Sequence, residues 1–134
     1  MIMKTHAAAT FEIKSWNENP FNELEGAPKL VRASVLKSYH GDIEGEGTLE
    51  YLMIYNENGF ATYVGFERVV GKIGARSGSF VLEDKGVFEG GIAKSSLKVM
   101  PDSGTGELRG LRGEGNYATG HAKEHAFAFE YEFE

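Results

Sequence analysis

The sequence predicts an all-β fold, a single closed antiparallel β-barrel of about eight strands in up-and-down order. About eight segments alternate apolar and polar residues, Gly, Asn, Asp and Pro separate them, and no convincing helical period lies between. Glycine accounts for 18 of 134 residues, close to twice ordinary usage, which suits tight turns and sharply bent strands. The last segment is the clearest: His125, Phe127, Phe129, Tyr131 and Phe133 point one way, and Ala126, Ala128, Glu130, Glu132 and Glu134 the other. Closure into a barrel removes the unpaired edges that strands so short would otherwise expose.

Taken in order, residues 1–8 read as a flexible N-terminus and 9–16 as the first strand, with Phe11 and Ile13 on one face. Residues 17–28, with Asn-Pro, Gly26 and Pro28, read as a lid-like loop too rich in turn formers to continue a sheet. The pattern resumes over 30–40, turns near Gly41-Asp42 into 43–55, and turns again at Asn58-Gly59 into 60–70. Further strands are expected at 77–88, 92–99, 111–117 and 125–133, with turns at Glu89-Gly90-Gly91, 101–104 and Thr119-Gly120. Short connections imply antiparallel neighbours, and the whole of 1–134 reads as one domain. Gly-Glu-Gly occurs at 45–47 and at 113–115; it marks either bends where the sheet coils or the echo of a duplicated half barrel.

Composition narrows the function classes. Hydrophobic residues at 41% and charged residues at 25% are ordinary for a globular domain, and the absence of cysteine rules out disulfides and thiolate zinc sites. The amino terminus lacks the apolar stretch of a secretory signal and no apolar run approaches membrane-spanning length, so cytoplasmic residence without membrane contact is expected. A net charge of −6 with scattered Lys and Arg argues against nucleic acid as a partner. No cofactor is expected.

The hairpin at Asn58-Gly59 carries the sharpest expectation. A two-residue type I′ turn would set Glu57 against Phe60 and Glu50 directly against Glu67. A four-residue loop would leave those carboxylates diagonal, at about 7–8 Å. Either register puts Glu50 and Glu67 on one face with Leu52, Ile54, Ala61, Tyr63, Gly65 and Val69. Two such carboxylates would push one pKa upward, or be relieved by an arginine, for which Arg76 and Arg112 are candidates. The opposite face carries Leu49, Tyr51, Met53, Tyr55, Phe60, Val64, Phe66 and Arg68. Which face lines the interior is open: inside, the pair is an acid/base candidate; outside, its apolar neighbours suggest contact with another subunit.

Other signals are weaker. His121 and His125 have a helical metal spacing but would straddle a turn and a strand, where four residues span about 13 Å, so no metal is expected. Gly104-Thr105-Gly106 lacks the lysine of a phosphate-binding loop and reads as a tight turn. The serines at 77, 79, 95 and 96 have no nucleophile-elbow setting. Phe127, Phe129, Tyr131 and Phe133 read as core.

Several stretches taken together resemble a known family. They are 11–16 (Phe-Glu-Ile-Lys-Ser-Trp), 41–51 from Gly41-Asp42-Ile43-Glu44-Gly45-Glu46-Gly47-Thr48 to Tyr51, 64–68 (Val-Gly-Phe-Glu-Arg), 78–82 (Gly-Ser-Phe-Val-Leu), 104–108 (Gly-Thr-Gly-Glu-Leu) and 110–115 (Gly-Leu-Arg-Gly-Glu-Gly). In that order, across nearly the whole chain, they resemble the bacterial family catalogued as domain of unknown function 3224. The resemblance implies a small barrel similar to that of the allene oxide cyclases and no established activity; no catalytic motif of the cyclases matches here, so no catalytic residue is transferred. The charged residues in or beside these stretches to examine first are Glu46, Glu50, Glu67, Arg68, Arg76, Glu107, Arg112 and Glu114.

The leading expectation is a protein that binds a small apolar or aromatic molecule in the barrel, with Glu50, Tyr51, Tyr63, Glu67, Arg68, Arg76 and Arg112 as candidate ligand-binding residues. One alternative is an isomerase, cyclase or lyase using Glu50 or Glu67 as general acid/base. Another is a homo-oligomeric assembly subunit without a ligand.

Overall fold

The computed structural model describes residues 4–56, 58–120 and 122–134. Among these there are nine strands and no helix: β1 (Thr5–Asn22), β2 (Lys29–Gly41), β3 (Ile43–Tyr55), β4 (Ala61–Ile73), β5 (Arg76–Glu89), β6 (Ile92–Val99), β7 (Thr105–Gly106), β8 (Leu111–Ala118) and β9 (Glu124–Phe133). Eight of them close a barrel in the order β1-β2-β3-β4-β5-β6-β8-β9, every neighbouring pair antiparallel, with β9 returning to β1. The ninth, β7, pairs two residues with the start of β5, which the shorter β6 leaves uncovered. Gly104-Thr105-Gly106 therefore contains a strand as well as a turn.

Alternation decides what lies inside. Along β2, Val31, Ala33, Val35, Lys37 and Tyr39 are buried while Arg32 and Leu36 between them are exposed, and β3, β4 and β5 repeat the rhythm. One end of the barrel is packed solid by side chains including Ile43, Ile73, Phe80 and Phe129, with Leu108 from the 101–110 segment plugging it at 0% exposure. The other end, built on Val31, Leu49, Met53 and Ala61, stays partly open.

Three features differ from the sequence reading. Residues 17–22, expected in a lid-like loop, continue β1 and pair with β2 through Asn17↔Ser34 and Pro20↔Val31. The turn formers are tolerated because β9 pairs with β1 only over Thr5–Glu12, so the tail has a single partner and Pro20 needs no N–H on its free side. At the other end β1 begins at Thr5, inside the stretch read as flexible, because Ala7 and Ala9 are buried beside Phe127 and Phe129 of β9.

The third difference is the register of β3 and β4. Tyr55 faces Ala61, the Asn56 amide donates to the Phe60 carbonyl (2.9 Å), and the Gly59 amide donates to the Asn56 carbonyl (3.2 Å). This is a three-residue connection closed by Gly59 at φ 80°, rather than the expected two- or four-residue loop. Glu57, whose expected partner was Phe60, lies outside the described residues. An odd loop shifts the register by one, and a shift of one exchanges faces. Glu67 now opposes Leu49 and Glu50 opposes Phe66, so the two carboxylates project to opposite sides of the wall. The carboxylate pair expected from the sequence does not form.

Candidate functional site

Each of three inward-facing strands carries one charged residue among apolar neighbours: Lys37 on β2, Glu67 on β4 and Asp84 on β5, exposed by 1%, 0% and 0%. Buried charge is tolerated only when paired and hydrogen-bonded. Lys37 Nζ donates to Glu67 Oε1 at 3.2 Å and lies 3.8 Å from Asp84 Oδ2. The Tyr39 hydroxyl donates to Glu67 Oε2 at 2.5 Å, and Tyr51 and Tyr117 both donate to Asp84 Oδ2, at 2.7 and 3.0 Å. Nζ also sits 4.5 Å from the Phe11 ring centroid and 4.9 Å from that of Tyr117. Asp84 Oδ1 is buried without a hydrogen-bond partner among the described residues.

Glycines make this cluster fit. Gly47 lies beside Lys37 in the register, and a Cβ there would collide with the Glu67 carboxylate. Gly65, opposite both Tyr51 and Asp84, would place a Cβ 2.9 Å from the Tyr51 ring. A Cβ on Gly86 would fall 2.8 Å from the Tyr63 hydroxyl, which pairs with Ser95 Oγ at 2.5 Å. Gly113 and Gly115 serve the packed end in the same way, receiving the Phe129 ring. The Gly-Glu-Gly segments are thus places where neighbouring strands send large side chains across the interior.

Burial would lower the Lys37 pKa, but Glu67, Tyr117 and Asp84 outweigh it and hold the ammonium above its ordinary value. Tyr39 is raised by burial and then by Glu67, and Tyr51 by burial and then by Tyr117 and Asp84. Burial raises Tyr117 as well, partly opposed by Lys37. The cluster at neutral pH therefore offers a firmly protonated ammonium and neutral phenols.

Above it opens a cavity of about 290 Å³, floored by Lys37, Tyr51 and Tyr117 and reaching the barrel mouth between Trp16, Tyr55 and Phe88. Trp16 reaches it through a β-bulge. Ile13 faces Lys37 and Ser15 faces Leu36, so Lys14 is one residue too many. Before the bulge odd positions of β1 face inward; after it even ones do, which aligns Trp16 with Val35 and Glu18 with Ala33. Trp16 stands 5.9 Å from Tyr51 and donates its indole N–H to Glu18 at 2.7 Å. Partial burial, followed by Glu18, pushes Tyr55 up to about 12.

Of the residues singled out from the sequence, Tyr51, Tyr63 and Glu67 face the interior together. Glu50 faces outward, accepting from Arg32 (3.2 Å) and Ser34 (2.9 Å); the Arg32 hydrogen bond, then that of Ser34, lowers its pKa. Arg68 is exposed on the same outer surface. Arg76 stacks on Phe133 at 4.0 Å and Arg112 pairs with Glu134 at 2.5 Å, both remote from Glu67 on the packed end. Lys37, Asp84, Tyr117, Trp16 and Glu18 were missed. The signal for the first two lay in plain alternation: a charge replaces the apolar residue in Val31-Ala33-Val35-Lys37-Tyr39 and in Phe80-Leu82-Asp84-Gly86-Phe88. Of the two histidines with metal spacing, His121 lies outside the described residues, and His125 packs 5.2 Å from Phe11, its pKa lowered by burial and then by Lys37.

Fold and site together define a small antiparallel barrel with one packed end, one open end and a buried charge cluster between them. The chain belongs to the family described as "Protein of unknown function (DUF3224)", whose profile matches residues 7–131. It is similar over its full length to the crystal structure of a DUF3224 protein of unknown function from Shewanella oneidensis MR-1, at 31% identity and a TM-score of 0.79, covering 98% of that chain. No curated protein matches it. Among the described residues no helix is long and apolar enough to cross a membrane.

Replacing Lys37 by Met should lower stability to urea by about 3–5 kcal/mol, because two carboxylates then stay buried without a cation. Alkaline stability should report the same cluster. The folded protein holds the Lys37, Tyr39 and Tyr51 protons to higher pH than the unfolded chain, so their contribution is complete below about pH 10 and lost as pH rises further. The urea midpoint should fall above about pH 10, and the buried tyrosinates should appear only with unfolding.

Proposed function

We propose that the protein binds a small, largely apolar aromatic molecule in the open end of its barrel. The observation carrying this reading is the 290 Å³ cavity, walled by seven aromatic rings and closed at its floor by a few polar groups. Its volume sits near the lower edge of the range of about 300–1,000 Å³ typical of ligand sites, and apolar walls with few polar groups are the usual composition of such sites. Trp16 at the rim is the single tryptophan of the chain, so its emission reads occupancy directly.

The acid/base alternative has less support. Glu50 lies on the outer surface, both oxygens of Glu67 are engaged, and the lining of the cavity includes Lys37 but neither carboxylate. Self-assembly is favoured by a separate observation. Leu52, Ile54, Val64 and Phe66 are exposed side by side on the outer face of β3 and β4, a surface suited to meeting a second copy. Light scattering should then give a mass above that of one chain, and a monomer at micromolar concentration would refute that reading.

Titration with a library of small aromatic compounds should shift Trp16 emission and raise the melting temperature for at least one of them. Ala93→Phe, which projects a ring into the cavity from β6, should abolish both responses while the variant remains folded. Failure of every compound to move either signal would refute ligand binding.

A further inference from the structure

The polar groups at the cavity floor differ in what they have left to give. Tyr51 and Tyr117 commit their hydroxyl hydrogens to Asp84 Oδ2, and Tyr63 is paired with Ser95. Near the mouth, Glu18 accepts the Trp16 indole N–H, and Thr119 Oγ1 accepts the Ala93 amide while keeping a neutral hydroxyl hydrogen to donate. Lys37 is different. An ammonium carries three N–H donors, and one is spent on Glu67. Asp84 Oδ2, at 3.8 Å, lies beyond hydrogen-bond reach. Nζ also lies over the faces of Phe11 and Tyr117, and Lys37 itself lines the cavity.

Charge limits what such a donor can meet. One ammonium against two carboxylates leaves the buried cluster formally at −1, all three side chains being at most 1% exposed. An anionic ligand would add a second uncompensated negative charge at low dielectric, and a cationic one would face the ammonium across the cavity. A neutral oxygen acceptor avoids both penalties.

Resting on the binding reading above, the geometry points to a neutral aromatic carbonyl compound as the ligand class, its ring among the aromatic walls and its carbonyl oxygen accepting a hydrogen bond from Lys37 Nζ. Lys37 is then the residue that sets specificity, and Glu67 and Tyr39 position it.

Four probes of nearly equal shape separate the outcomes in protein-observed NMR titrations: acetophenone, isopropylbenzene, benzoate and benzamidine. Acetophenone should bind at least about tenfold tighter than isopropylbenzene, the worth of a hydrogen bond to a charged donor, and also tighter than both ions. The double variant Lys37→Met with Glu67→Gln keeps the cluster formally at −1; in it acetophenone should lose its advantage while isopropylbenzene binds as before. Should that variant fail to fold, the carbonyl carbon-13 shift of labelled acetophenone in the unaltered protein decides the matter. A downfield move from its value in hexane supports the bond, and an unchanged shift overturns it. Equal affinity for acetophenone and isopropylbenzene would overturn the ligand class and leave the binding reading standing, as would tightest binding by either ion. Binding by none of the four would overturn both.

Discussion

One ammonium shared unequally between two carboxylates sets the terms for the interior of this barrel. Lys37 reaches Glu67 and Asp84 from a different strand, and three phenols donate to the same two carboxylates. A buried pair of this kind is seldom the cheapest way to stabilise a core, since apolar residues of similar volume often do as well. Its effect on form is clearer. Side chains that must meet at fixed distances tie β2, β4 and β5 to one another across the lumen, and the glycines at 47, 65 and 86 are the complement that such long polar groups require.

The cluster also divides the interior into two unlike halves. Below it, stacked rings such as Phe80, Phe127 and Phe129 fill the space. Above it the strands carry aromatic groups that line the space without filling it. The division follows from strand lengths: β9 leaves β1 after Glu12, whereas β2 and β3 continue, so the wall at that end is incomplete.

Much of this was legible in the sequence. Eight-strand closure, the antiparallel order and the inward row of β9 follow from alternation between turn formers, because a period of two needs no knowledge of partners; which row of β3 and β4 faces inward did not follow from it. What failed depended on counting loop residues. Asn58-Gly59 suits a two-residue turn and a three-residue one equally, and the single residue between them moved Glu50 from the side of Glu67 to the outer surface. The bulge at Lys14 was invisible for a similar reason: nothing in Ile13-Lys14-Ser15-Trp16 announces an extra residue until β2 is laid beside it. Lys37 and Asp84, by contrast, were within reach of pattern alone, as charges sitting on apolar beats.

A cylinder of sheet is supposed to have no margin, yet this one keeps a short selvedge where β1 runs past β9. From Asn17 to Asn22 that border is hydrogen-bonded along one side only, and Phe21 stands out from it at 57% exposure. A bare border next to an exposed ring is how neighbouring molecules come to stitch their sheets together in a crowded solution. Pro20, which cannot offer an amide, and the polar Asn17, Glu18 and Asn19 beside it spoil the template. Colloidal behaviour at high concentration is thereby entrusted to a proline that contributes nothing to the core.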